Sequence, residues 1–246
     1  MSTYRRKDSL NKPISEVIEE WPLYKHSKGD ILVEIDFKNL FPGKSDLLFS
    51  NWTSYLPKSS QLFSVSIKDR CSKNDFSKLI DTKNENSRDY FNVKLLHCIL
   101  KPCKIINTAK NKGTKNNWKP SIVDSQYSQF QFLTTVNDLQ RKIEERRNKY
   151  KSVNLQVQPF IIVIGEDEEH LSQFYVWYEN IIHKFETFLK SLDYCFKIFH
   201  CFNFVYPPES ELVWTFIQKY FYNINLDIDN NSPVLSNFIT SLNARH

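Results

Sequence analysis

Apolar and polar positions recur with different periods in the first segments of the chain. Residues 13–21 place apolar side chains three and four apart, which predicts a short helix opened by Pro13 and stopped by Pro22. Residues 30–37, DILVEIDF, alternate apolar with polar side chains. This alternation predicts a strand with one wetter face.

The same argument from apolar and polar positions applies to residues 45–118. Residues 45–56 predict a helix that ends at Pro57, and the polar segment 66–89 predicts a loop. Residues 89–100 predict a buried helix. The segment 101–118 has no usable period and many turn-forming residues, which favours a polar, basic linker.

A helix is predicted from Val136, because Thr135 and Asp138 resemble a capping box. Its apolar stripe consists of Val136, Leu139, Ile143 and Tyr150. The stripe indicates packing on its own domain. Pairing with a partner helix is the alternative, although Arg146 would interrupt that seam.

The C-terminal half predicts an antiparallel meander followed by helices. The strands are predicted at 160–164, 173–178 and 181–186. The last two surround a tight turn at Glu179 and Asn180. Helices beginning near residues 187 and 209 should pack on one face of this sheet. Trp177 and Trp214 should be largely buried.

These elements predict an α+β fold with a small antiparallel sheet, amphipathic helices and two lobes. The predicted organisation is a disordered tail at 1–12, an N-terminal lobe at 13–100, a linker at 101–118, a C-terminal α+β lobe at 119–226 and a polar tail at 227–246.

Two clusters of cysteine and histidine residues are candidates for a metal or thiol site. On a helix, Cys195, His200 and Cys201 point in directions too different to converge on one ion. His97 with Cys98 and Cys103 forms the other cluster to consider. Packed, metal-free thiols are the expectation for both clusters. Cys195 also lies among aromatic residues that disfavour a reactive thiolate.

Charge is distributed unevenly. Residues 1–151 carry +11, residues 152–246 carry −6, and residues 101–151 alone carry +8. The basic segment is a candidate nucleic-acid or partner surface. The candidate residues are Lys110, Lys112, Lys115, Arg141, Lys142, Arg146, Arg147 and Lys149. An AT-rich gene offers another explanation, under which many of these lysines are ordinary solubilising surface.

Other chemistry finds little support in the residues. The phosphate-binding glycine motifs are missing. The acidic run at 166–169 could bind a divalent cation, but such loops are usually just solvated. Asp36 and Asp124 could act as nuclease-like carboxylates only if the fold brought them together. The expectation is no catalytic residue, no cofactor and no metal.

An ordered set of short segments resembles a known family. The segments are WP at 21–22, DF at 36–37, FPGK at 41–44, KPSI at 119–122, TTVNDL at 134–139, QPFIIVIG at 158–165, CFKIFH at 195–200 and YPPESELVWTFIQK at 206–219. Together they resemble the C-terminal module of animal sterile alpha motif domain-containing protein 3-like proteins and related uncharacterised insect proteins. The resemblance covers residues 13–226 and implies no catalytic residue.

The sequence therefore predicts a non-enzymatic interaction module with an unknown protein partner. Its location is left open between the nucleus, where it would act near chromatin, and the cytoplasm. The basic N-terminus is followed by no hydrophobic segment, which indicates an intracellular protein without a membrane anchor. Nonspecific nucleic-acid binding through 101–151 is the first alternative. A metal-dependent nuclease or hydrolase is the second.

Overall fold

The computed structural model describes residues 14–108, 117–227, 229 and 232–245. Within these residues the chain has an α+β fold, with many helices and two small sheets. None of the described helices is both long and apolar enough to cross a membrane. The predicted tail at 1–12 and the middle of the predicted linker, 109–116, lie outside the described residues.

The N-terminal half is helical. Its elements are α1 (Ile14–Glu20), a 3-10 turn (Pro22–Lys25), α2 (Gly29–Leu40), α3 (Leu47–Ser66), α4 (Arg70–Asp81) and α5 (Glu85–Ile99). The helices predicted at 13–21 and 89–100 are confirmed by α1 and α5. Val17 and Ile18 face the core from α1, as the spacing requires.

The C-terminal half mixes helices and strands. Its elements are β1 (Ile106–Asn107), β2 (Asn117–Trp118), α6 (Ile122–Gln129), β3 (Phe130–Leu133), a 3-10 turn (Val136–Asp138), α7 (Leu139–Ser152), β4 (Phe160–Gly165), β5 (Leu171–Tyr178), β6 (Ile181–Phe185), α8 (Phe188–Cys201), α9 (Glu211–Phe216), a π-helical segment (Ile217–Phe221) and α10 (Pro233–Asn243).

The strand predicted at residues 30–37 is wrong, because this segment belongs to α2. Val33, Asp36 and Phe37 are buried at helical spacing. The other apolar residues that produced the alternation, Ile31 and Ile35, are exposed. A short apolar run cannot distinguish a strand from a helix by periodicity. Packing of α2 against α8 decides the outcome.

Two further segments also depart from the sequence-based prediction. Helix α3 continues through Pro57, because Leu62 and Phe63 beyond the proline are buried in the core. The predicted loop at 66–89 instead contains α4 and the start of α5. Helix α4 begins after Asp69, whose carboxylate accepts a backbone hydrogen bond in the first turn.

The predicted meander is confirmed, since β4, β5 and β6 pair antiparallel in that order. The turn at Glu179 and Asn180 has the positive φ angles, 42° and 67°, that a tight hairpin needs. The sheet nevertheless has a fourth strand that the prediction missed. Strand β3 pairs parallel with β4, and α7 supplies the crossover between them. The four-stranded sheet is therefore mixed, with one parallel strand added to the predicted antiparallel meander.

The segment 227–246 was predicted to be a polar tail, and the structure corrects this. Helix α10 lies within it and buries Leu235, Phe238 and Leu242. The ring of Phe238 lies 5.1 Å from that of Phe216 in α9. The helix belongs to the packed structure because its apolar residues lie on one face.

Helix α8 lies at the centre of the fold and packs on β4, β5 and β6. The burial predicted for Trp177 and Trp214 is confirmed. The tryptophan of the second predicted helix, α9, packs on α8. The ring of Trp214 packs 4.9 Å from Phe199 of α8.

The core runs across both predicted lobes. The ring of Phe37 in α2 lies 5.9 Å from Phe196 in α8 and 5.7 Å from Tyr222. One hydrophobic cluster includes residues from α1 to α10. The boundaries of the two lobes remain a prediction. The structure shows one hydrophobic core that both predicted lobes share.

A buried charge network joins α2 to α8. The ammonium of Lys197 lies 2.7 Å from Asp193 Oδ2 and 2.5 Å from Glu34 Oε2. Tyr222 donates to the other oxygen of Asp193 at 2.6 Å. Burial raises the pKa of Asp193 to about 6, although Lys197 opposes the shift. Burial alone would lower the pKa of Lys197, but the two carboxylates raise it.

Replacing Lys197 with methionine keeps an unbranched side chain, one atom shorter, and removes its charge. Because Asp193 then loses its charged partner inside the protein, we expect the free energy of unfolding to fall by about 3–5 kcal/mol, measured by chemical denaturation. The control is Lys190→Met, which breaks an exposed pair with Glu186 and should leave the midpoint unchanged. A Lys197 variant as stable as this control would contradict the role of the network.

Candidate functional site

The basic residues predicted as a binding surface lie on α7 and in the linker before it. Lys110, Lys112 and Lys115 lie outside the described residues. Arg141 is exposed on α7 and pairs with Asp138 at 2.7 Å and with Glu145 at 2.5 Å. Lys142 also pairs with Glu145, at 2.6 Å. The negative charges of Asp138 and Glu145 therefore offset the positive charges of Arg141 and Lys142.

Two further cations of α7, Arg147 and Lys149, also have partners. Arg147 pairs with Glu144 at 3.4 Å, and its guanidinium lies 5.5 Å from the Trp177 ring. Lys149 pairs with Asp124 at 2.9 Å. Such pairs reduce the net charge that a phosphate backbone would meet.

A role in a binding surface would require Arg146 to be exposed on the helix, and the structure contradicts this. The side chain is only 1% exposed. Its Nη2 donates to the Phe130 carbonyl at 2.8 Å and its Nη1 to the Ser128 carbonyl at 3.4 Å. The guanidinium stacks between Tyr127 and Phe160, at 4.0 and 3.8 Å from the ring centres. Arg146 thus joins α7 to α6 and β3.

The sequence contained a signal for this burial. Arg146 follows Ile143 by three residues and precedes Tyr150 by four, so the three share one stripe of the helix. A charge on an apolar stripe is buried when carbonyl groups without other partners face it. The sequence of α7 alone does not show whether such carbonyl groups face Arg146.

A cleft of about 570 Å³ lies between the end of α8, the loop at 202–208 and the π-helical segment. Its apolar wall is formed by Phe199, Phe204, Val205, Tyr206 and Pro208. Its volume and mixed lining are typical of ligand-binding clefts. The sequence predicted helices in this region but no cleft between them.

A chain of hydrogen bonds forms the polar edge of the cleft. Tyr206 donates to Gln218 Oε1 at 3.0 Å and therefore accepts from His200 Nε2 at 2.9 Å. Gln218 Nε2 donates in turn to Asp229 Oδ2 at 2.8 Å. Burial raises the pKa of Tyr206 well above its ordinary value, so the hydroxyl stays neutral. The edge thus has a fixed pattern of donors and acceptors.

Local backbone features shape this cleft. Asn203 adopts a positive φ of 55°, which turns the chain sharply after α8. The prolines at 207 and 208 fix the backbone of the turn that precedes α9, which begins at Glu211. The π-helical segment places Gln218 so that its Nε2 also reaches the Ile224 carbonyl, at 3.2 Å. Segments of π helix are frequent at functional sites.

A second polar group resembles a catalytic arrangement but is sealed. Ser125 lies 2.7 Å from His97 Nδ1, and Gln129 Oε1 lies 2.7 Å from His97 Nε2. All three side chains are fully buried. Burial lowers the pKa of His97 from 6.5 to about 3. No substrate can reach the group in this conformation, so its role is structural.

The sequence-based candidates for metal binding are separated. Cys98 accepts a hydrogen bond from the Ser72 hydroxyl, whereas Cys103 is exposed. Burial of Cys195 and Cys201 is confirmed, and burial raises the pKa of the Cys195 thiol well above its ordinary value. Across the described part of the chain, no three or more histidine, cysteine or acidic residues are grouped to hold a metal ion.

The acidic residues singled out from the sequence have local structural roles. Glu168 pairs with Lys94 at 2.8 Å and accepts from the Tyr90 hydroxyl at 2.6 Å. Asp36 accepts from the Tyr24 hydroxyl. Asp124 accepts from the backbone N–H of Ser121 in the capping box of α6. Each carboxylate is thus held by its own set of partners.

Comparison with known proteins does not assign the chain to a family. No family model, curated protein or solved structure matches the chain. The resemblance to sterile alpha motif domain-containing protein 3-like proteins therefore stays a prediction.

His97 should make stability depend on pH. Below pH 6.5 the unfolded chain protonates this histidine, but the folded protein does not until about pH 3. The unfolded state thus binds more protons, and stability is lost as the pH falls through this window. We expect His97→Gln to lower the slope of unfolding free energy against pH by about 1.4 kcal/mol per unit between pH 6 and 4. Denaturation at several pH values measures the slope, and an unchanged slope would refute the assignment.

Arg146 and Arg141 form a matched pair for testing burial on α7. Arg146→Met should lower the free energy of unfolding by about 3 kcal/mol, because two buried carbonyls lose a charged donor. Arg141→Met removes only exposed ion pairs and should leave the denaturation midpoint close to wild type. Equal midpoints for the two variants would contradict the buried role of Arg146.

Proposed function

We propose that the chain is a non-enzymatic, intracellular interaction module that binds a protein partner at the cleft between α8 and the π-helical segment. The observation that carries the proposal is the cleft itself, with an apolar wall and a polar edge of fixed hydrogen-bonding pattern. Such a surface can bury an apolar side chain and orient its neighbours through hydrogen bonds.

The chemistry of the cleft supports binding rather than catalysis. His200 is engaged by Tyr206, and Tyr206 by Gln218. The hydroxyl of Thr215 donates to the Glu211 carbonyl at 2.8 Å. A catalytic site needs a nucleophile or base aimed at the space that the substrate occupies. The polar side chains here are instead used to hold one another in position.

The rim of the cleft offers further support. Val205 is 75% exposed beside the aromatic wall. Lys104 and Glu211 form an ion pair at the opposite edge. An apolar centre bordered by charged groups is the usual composition of a protein-binding surface. Placement in the nucleus near chromatin belongs to the same proposal.

Nucleic-acid binding is a weaker candidate for this chain. The ion pairs of Arg141, Lys142 and Lys149 oppose it, as does the burial of Arg146. Binding by charge alone would be nonspecific and would weaken steeply with salt.

The proposal is tested by affinity capture from native tissue with quantitative mass spectrometry. Val205→Glu places a charge at the mouth of the cleft and should remove the partners that wild type retains. Val65→Glu makes the same change at another exposed valine, on α3, and should retain them. Loss of the same partners from both variants, or from neither, would refute binding at the cleft. Melting temperatures verify that both variants fold.

A further inference from the structure

The segment 204–207, beside the cleft, resembles a strand without a neighbour. Its residues belong to neither a helix nor a sheet. Phe204 and Tyr206 are half-buried, whereas Val205 between them is exposed. This alternation is typical of a strand with one face on the core. Pro207 also restricts Tyr206 to extended backbone angles, and Pro208 restricts Pro207 in the same way.

The backbone of this segment carries unused hydrogen-bonding groups. The N–H of Phe204 donates to the Phe199 carbonyl at 2.9 Å. Within the described chain, the N–H and C=O groups of Val205 and Tyr206 form no hydrogen bond. Adjacent residues of an extended segment point these groups to opposite sides, so each edge of the segment offers a donor and an acceptor. Because residues 203–206 all line the cleft, it follows one of these edges.

Asn203 adds further free polar groups at the mouth of the cleft. The residue is exposed and lines the cleft. Its side-chain amide is not hydrogen-bonded to any described residue. A primary amide has a donor and an acceptor, as a peptide unit does. The side chains of His200, Tyr206 and Gln218 are by contrast already bonded to one another. The groups left for a partner are therefore of the peptide type.

These groups favour one conformation of the bound partner. A helix satisfies its backbone groups internally, so it would cover those of Val205 without bonding to them, which is unfavourable. An extended segment keeps its own N–H and C=O groups available for pairing. From the spacings within and between sheets, one residue of a strand occupies roughly 160 Å³. The cleft of about 570 Å³ thus has room for about three residues.

We propose that the protein partner binds the cleft as an extended strand that pairs with the backbone of residues 204–206. The proposal rests on the proposed function, because the strand belongs to the partner held in the cleft. Alternate side chains of a strand point to opposite faces, so every second one contacts the apolar wall at Phe199 and Phe204. Backbone pairing then supplies affinity, and the apolar contacts supply selectivity.

The test begins with a phage-displayed library of random nonapeptides, panned on the full chain. Peptides are kept when wild type binds them and Val205→Glu does not. The tightest of these is synthesised with an N-methyl group at each position in turn, which removes one N–H donor and leaves the side chains unchanged. We expect binding to weaken about tenfold at alternate positions and to stay nearly constant between them.

Two measurements on the protein accompany this scan. Hydrogen exchange of the Val205 or Tyr206 amide should slow about tenfold when the peptide is bound. Asn203→Gly removes the side-chain amide and retains the positive φ, which glycine tolerates, and should weaken the peptide by about tenfold. Asn154→Gly makes the same change at another exposed asparagine with a positive φ, outside the cleft, and should leave binding unchanged.

Several results would overturn the proposal. Tolerance of N-methylation along the whole peptide would exclude strand pairing. Sensitivity at consecutive positions would also exclude it, because N-methylation breaks the internal bonds of a helical peptide. A library that yields no peptide dependent on Val205 would refute the site. Equal effects of Asn203→Gly and Asn154→Gly would refute recognition by the Asn203 amide.

Partner capture separates this proposal from the proposed function. Partners lost from Val205→Glu, together with peptides that tolerate N-methylation, would leave the cleft as the binding site and refute the strand. Partner capture insensitive to Val205→Glu would refute the proposed function. Protection of the Val205 amide by the peptide would then still establish strand pairing at this edge.

Discussion

The burial of Lys197 is the constraint on which the rest of the structure depends. A buried ammonium must be paired, and here Asp193 supplies one carboxylate from α8 and Glu34 another from α2. Tyr222 completes the group from the end of the π-helical segment. Three segments far apart in the chain are thereby held in one arrangement. A shift of any of them would leave a charge without its partner.

The cleft depends on this arrangement. Its wall includes the last turn of α8, where the His200 ring lies 5.3 Å from Phe41 and 6.1 Å from Phe37. Stacking of Phe196 on Tyr222, with 4.0 Å between ring centres, positions the π-helical segment that carries Gln218. The binding surface is thus formed by side chains whose positions the core sets, which lowers the entropy lost when a partner is ordered on it.

Prediction from the sequence was most successful where one local rule applied without competition. The β-branched run in β4 and the turn at Glu179 and Asn180 both follow short-range preferences. Prediction failed for residues 30–37, where helical and strand periodicities were both present. It also missed β3, because a four-residue strand is recognisable only through its parallel partner β4. Of the two candidate binding surfaces, the sequence predicted the basic residues of α7 but not the cleft.

The sequence by itself determined the α+β class, the meander and the helix at 89–100, because these depend on residues close together in the chain. The tertiary structure alone decided the burial of Arg146 and His97. Arg146 donates to carbonyls 16 and 18 residues away, and His97 bonds to side chains 28 and 32 residues away. Whether a polar group is exposed or enclosed depends on which distant groups meet it, and local periodicity does not contain that information.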